Sequence, residues 1–170
     1  MDSRWVLPMF PWYKVNIDAA IFSQLDIIGV GVIIRDHLGS VVAALSKRLP
    51  LPLDPLEAEA KAMDETTDFA WDVGVRDVIF ESNSMLVCHA MENPTNVSVS
   101  ISTVVSGFCS RLPAFHTFQS SPVRLQGNKL AHTLVAFAKN INSFGGEGGS
   151  LANALFEQKK VALCSLFQTN

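Results

Sequence analysis

The sequence is poor in charge and has no basic excess. Only 17% of its 170 residues are Asp, Glu, Lys or Arg, and 13 basic against 16 acidic side chains leave a net charge of −3. Proteins that coat nucleic acid through bulk electrostatics carry a clear positive excess, so that class is excluded, although a local basic strip is not. Cysteine is scarce as well. Cys88, Cys109 and Cys164 show neither CxxC nor Cys/His ligand spacing, which argues against a zinc site or a disulfide framework and fits reduced thiols inside a cell. No apolar run approaches the roughly 20 residues of a membrane span. The opening MDSRWVLPMFPWYK, broken by Pro8 and Pro11, lacks the apolar stretch of a signal peptide. These absences give the expectation of a soluble, intracellular, monomeric protein with no membrane partner.

Core-forming residues are abundant, at 48% apolar, and the length suits one domain. The punctuation divides the chain into a Pro-containing lead at 1–12, a domain at 13–143, and a Gly-rich linker with tail at 144–170. Within the domain, β-branched runs at 13–21, 27–35 and 40–47 read as an antiparallel meander, with Gly39 in a left-handed turn position. Gly29 and Gly31 alternate inside the second strand, which signals a bulge or the close approach of another backbone. Asp54 and Pro55 start a helix that Gly74 ends, with Leu56, Ala60, Met63, Thr67, Ala70 and Trp71 as its apolar stripe. A strand at 75–81 follows, parallel to a neighbour by the crossover rule. Helices then start at Ser82 or Ser84 and near 98–112, a strand covers about 115–124, and NKLAHTLVAFAKNINS is a last helix with Leu130, Leu134, Phe137 and Ala138 inward. The order of elements predicts a mixed α/β sheet with helices packed on it.

Asp18 is the anomaly. It lies in the apolar run VNIDAAIF, and burying an unpaired carboxylate costs several kcal/mol. A turn-capping Asp is one explanation. The other is a metal site, with Glu57 or Glu59 on the first helix and Glu81 or Asn83 at the end of the fourth strand as its possible companions. Glu59 sits beside the packed stripe, whereas Glu57 is rotated toward solvent. Paired carboxylates of this kind suit Mg²⁺, a hard cation that shares its shell with phosphate. Asp64, Glu65, Asp68 and Asp72 read as the wet face of the first helix. GVGVII lies inside a strand and precedes no helix, so it is not a nucleotide-binding loop.

The stretches KVNIDAAI, GVGVIIRDHLGSVVAA, LEAEAKAM, VRDVIFESNSMLV and VRLQGNKLAHTLVAFA, in this order from Lys14 to Ala138, resemble the ribonuclease H type 1 domain. Within it they are most similar to the plant subgroup related to the RNase H part of retrotransposon reverse transcriptases. The resemblance implies a five-stranded mixed sheet of order 3-2-1-4-5 flanked by helices, and Mg²⁺- or Mn²⁺-dependent endonucleolytic cleavage of RNA in RNA–DNA hybrids. Of the family's four acidic positions, the first matches Asp18 and the second Glu59. The third is Asn83, and the fourth is His132, as it often is in the plant subgroup.

The resemblance implies a two-metal mechanism, with Asp18, Glu59 and Asn83 as metal ligands and His132 as the fourth site residue. Asn83 keeps an oxygen donor but removes a full charge, which should weaken metal binding and cleavage. His132 offers a nitrogen better suited to Mn²⁺ than to Mg²⁺, or a cation for phosphate. Lys14, Lys47, Arg48, Arg124 and Lys129 flank the proposed site and are candidates for phosphate contacts. Binding to a hybrid should be weak, salt-sensitive and without sequence specificity. The alternative is a non-catalytic nucleic-acid-binding or protein-interaction module derived from a mobile element.

Overall fold

The computed structural model describes residues 5–140. The linker and tail read at 144–170, and the end of the last helix as read through 143, lie outside the described residues. The elements are β1 (Tyr13–Phe22), β2 (Ile27–Arg35), β3 (Val41–Leu49), α1 (Pro55–Val73), β4 (Asp77–Ser82), α2 (Met85–Glu92), α3 (Val99–Arg111), β5 (Thr117–Pro122) and α4 (Lys129–Ala138). The sheet has the order β3-β2-β1-β4-β5. Its first three strands are antiparallel, and β4 and β5 run parallel to β1. This is the mixed, helix-flanked arrangement that the sequence implied.

Local chemistry accounts for the element ends. Asp54 and Glu57 form a reciprocal capping box at the start of α1, with Pro55 in its first turn. Gly74 closes the helix at φ +94°, a conformation that costs glycine little. Gly39 turns β2 into β3 at φ +80°. Ser84 caps α2, accepting a hydrogen bond from the Val87 amide.

Strand β2 is buried along its whole length, because helices cover both faces. On one face Val15, Ile17, Val30 and Val32 pack with Ala60, Met63 and Ala70 of α1 and with Phe80 and Phe108. On the other, Ile33 and Ala44 pack with Ala131 and Leu134 of α4. Gly29 and Gly31 make the second packing possible. A Cβ on Gly31 would run into the Ala131 carbonyl and come within 2.8 Å of the Val135 amide, and one on Gly29 would lie 3.0 Å from the Ala138 methyl. Of the two meanings of these glycines, close backbone approach is the one realised.

Three sequence expectations are corrected. Trp71 is exposed rather than in the α1 stripe; it stacks on Arg76 and meets Phe115 edge-on. Phe137 is half exposed, while Ala131 and Val135 take the inner face of α4, since only small or branched side chains fit over the glycines. Asp64 and Glu65 are not a solvated face. They pair with Lys61, Lys47 and Arg111, so that α1 is tied to α3 and β3.

Candidate active site

Asp18 owes its position to the register. Residues Lys14, Asn16 and Asp18 alternate onto the face of β1 that α4 covers. Pairing with β4 ends at Ile17 opposite Ser82, so Asp18 lies just past the end of β4, in a notch of the sheet between β1 and β4. A crevice at the carboxyl ends of parallel strands is the usual place for ligands in open α/β sheets.

The structure brings all four sequence-predicted residues to this notch. Asp18 is only 2% exposed. His132, whose side chain is 60% exposed, reaches it from α4 with Nδ1 at 2.7 Å from Oδ2. Asn83, in the loop after β4, lies near enough to Asp18 to help favour its charged form. Glu59 approaches from α1 and repels it electrostatically. Burial pushes the Asp18 carboxyl above its ordinary pKa of 3.8, with His132 pulling it back. For Glu59, burial first and the Asp18 charge second push the pKa to about 8. Its Oε2 is buried with no hydrogen-bond partner.

Packing of α4 on glycine makes the His132 contact possible. Gly31 stands opposite Asp18 in the sheet and touches the Ala131 carbonyl, one residue before His132. Asn128, one turn earlier, is fully buried and donates from Nδ2 to the Ile17 carbonyl at 2.7 Å. The start of α4 is thereby fixed to β1 at two successive residues, Ile17 and Asp18. Asn128 did not stand out in the sequence, although its place four residues before His132 puts both on one helical side.

Other candidates are placed differently. Glu57 belongs to the capping box. Glu81 stays away from Asp18; it accepts from Asn16 at 2.8 Å and pairs with Lys14 at 2.7 Å, and Arg35 donates to Asn16. Lys14 is therefore a correction: its side chain is 14% exposed and its charge is paired with Glu81, so it is not a free cation at the site. Lys47 is another, because it faces α1 and binds Glu65 at 2.5 Å. Arg48 stands opposite Gly29 on the α4 face. Arg124 and Lys129 are exposed next to and at the start of α4. The Lys14–Glu81–Asn16–Arg35 network was missed, though the polar alternation in KVNID is its signal. Trp5 of the lead covers it, stacked 3.5 Å over the Arg35 guanidinium.

Among the described residues no group of three His, Cys, Asp or Glu side chains is disposed to hold a metal ion. The available donors are two carboxylates and the Asn83 amide. That set fits one hard cation that keeps water and phosphate in its shell, and the orphaned Glu59 Oε2 is a donor waiting for such a charge. It does not fit two ions, because His132 occupies Asp18 Oδ2. Also among the described residues, no helix is long and apolar enough to cross a membrane.

No curated protein sequence matches the chain. Solved structures match its fold closely. The type 1 RNase H of the archaeon Halobacterium salinarum superposes with a TM-score of 0.70 at 18% identity, covering 76% of this chain and 98% of that one. The N-terminal RNase H domain of a Mycobacterium tuberculosis protein gives 0.68 at 17% identity over 76% and 94%. A compost-derived type 1 RNase H, solved with an RNA/DNA hybrid, gives 0.62 at 18% identity over 75% and 96%. The reverse transcriptase-like family matches residues 16–138, a span from Asn16, beside Asp18, to the last residue of α4, and the chain belongs to that family.

Proposed function

We propose that this domain binds RNA–DNA hybrids and cleaves their RNA strand endonucleolytically, slowly, at the notch formed by Asp18, Glu59, Asn83 and His132. The observation that carries the reading is the unsatisfied, buried Glu59 carboxylate held beside the buried Asp18, an arrangement that costs stability and is relieved by a cation. Asp18, Glu59 and the Asn83 amide would hold Mg²⁺ or Mn²⁺, which supplies charge neutralisation at the phosphate and a water of lowered pKa. Asp18 is the anchor, fixed in the sheet. Glu59, which burial and the Asp18 charge keep protonated up to a pKa of about 8, would give up that proton to hold the cation. The His132 ring, 60% exposed beyond its contact with Asp18, would meet the phosphate, with Arg124 and Lys129, exposed beside and at the start of the same helix, as further cations for the backbone. A hybrid-bound RNase H of the same fold supports this choice of substrate.

Weak activity follows from the donor set. Where two carboxylates and an amide stand, a third full charge is missing, and His132 competes with a cation for Asp18. The experiment is cleavage of a labelled hybrid by Asn83→Asp and by Asn83→Asp with His132→Asp. A gain over the natural protein is expected in both, larger in the double variant. Unchanged rates in both would overturn the assignment of these positions.

The 2.7 Å contact between His132 and Asp18 favours a second reading, in which the pair is a structural lock and the domain a non-catalytic nucleic-acid-binding or protein-interaction module. Hybrid binding that persists while both variants stay inactive would select it.

A further inference from the structure

Charge is segregated along this chain. No Asp or Glu occurs between Asn93 and Asn140, a stretch that holds Arg111, Arg124, Lys129, Lys139, His116 and His132. Several other cations are already paired: Lys14 with Glu81, Lys47 with Glu65, and Lys61 and Arg111 with the α1 carboxylates. Arg124, Lys129 and Lys139 are exposed and make no ion pair among the described residues.

We propose that the outer side of α4 is a docking ridge for a nucleic-acid backbone, with Lys139 as a phosphate anchor on the far side of the notch from Lys129 and Arg124. The proposal rests on the nucleic-acid reading of the notch and adds the path of the strand. His132 and Lys139 are seven residues apart, two helical turns, on one side of α4 and about 10 Å along its axis. The helix runs beside β1, so that His132 meets Asp18 while the Lys139 ammonium lies 5.8 Å over the Phe22 ring. Phe22 fixes that ammonium without neutralising it, since an aromatic face attracts a cation but adds no charge. Between His132 and Lys139 the same side presents Ala136, which leaves the ridge low enough for a backbone to lie on it. A strand entering past Arg124 and Lys129 would cross the notch at His132 and leave over Lys139.

The test is the salt dependence of binding of a short labelled RNA–DNA hybrid to the full chain without divalent metal, across a KCl series. Each phosphate contact contributes about −0.9 to the slope of log K against log salt on B-form DNA, and removing one lysine contact lowers the slope by about 1. Lys139→Ala should lower it by about 1 and weaken binding several-fold at low salt. Lys139→Arg should keep it, and Lys129→Ala with Lys139→Ala should lower it by about 2. Lys61→Ala removes the same net charge from α1 and should leave the slope unchanged. A natural slope in Lys139→Ala, or an equal fall in Lys61→Ala, would overturn the ridge while leaving hybrid binding intact. No binding of the hybrid by the natural protein at low salt would overturn both the ridge and the nucleic-acid reading.

Discussion

Replacing Glu59 with glutamine should stabilise the metal-free protein at neutral pH and flatten its pH dependence. The Glu59 carboxyl titrates at about 8 in the folded chain against an ordinary 4.5. Between these values the folded state holds a proton that the unfolded state has lost, so stability falls as pH rises. At about 1.4 kcal/mol per tenfold change in proton affinity, the loss between pH 5 and pH 7 is on the order of 2–3 kcal/mol, and it approaches roughly 5 kcal/mol above pH 8. In a domain of this size that corresponds to a fall in Tm of roughly 5–10 °C from pH 5 to 7. Asp64 acts in the opposite sense: burial raises its carboxyl, but Lys61 and Arg111 outweigh burial and hold it below its ordinary range. Its contribution is lost only as pH falls below about 4, outside the window. A glutamine side chain has no proton to lose and relieves Asp18 of a repelling charge. The assay is urea or thermal unfolding of both proteins at a series of pH values, with Mg²⁺ added at pH 8 as a second arm. The natural protein should regain stability with Mg²⁺ and the Glu59→Gln variant should not. Parallel pH curves for the two proteins would refute the account of Glu59.

Three further changes test the frame around the notch. Gly31→Ala forces a methyl group into the Ala131 carbonyl and should cost about 1–3 kcal/mol or more in urea unfolding, displacing α4 from Asp18. Asn128→Ala removes the donor to the Ile17 carbonyl and should cost about 1–3 kcal/mol, with a changed His132 imidazole signal in NMR while the β1–β2 signals stay in place. Trp5→Ala uncovers Arg35, which is 8% exposed, and should lower stability by about 2 kcal/mol; an unchanged midpoint would mean that the lead adds nothing to the fold.

Periodicity and punctuation made the elements legible, because Asp54, Pro55, Gly74 and Gly39 each act through their own backbone chemistry. The strand order, the choice of Asn83 over Glu81 and the addition of His132 came through resemblance, since no local signal states which strand neighbours which. What was not legible is tertiary in origin. Trp71 and Phe137 follow the helical period yet lie outside, because Phe115 and Arg76 offer the first a surface partner and the glycines of β2 admit only small residues beside the second. Lys14 and Lys47 looked available for phosphate because their partners, Glu81 and Glu65, are 67 and 18 residues away in sequence. Asn128 resembles any helix-start Asn until the Ile17 carbonyl is seen above it.

The central claim is that Asp18 anchors a cation-dependent site for cutting RNA. Its most direct test is cleavage of a labelled RNA–DNA hybrid by the purified protein in Mg²⁺ and separately in Mn²⁺, with Asp18→Asn as control. Slow cleavage, faster in Mn²⁺ and abolished in the control, is expected. No cleavage in either metal, or cleavage that survives Asp18→Asn, would contradict it.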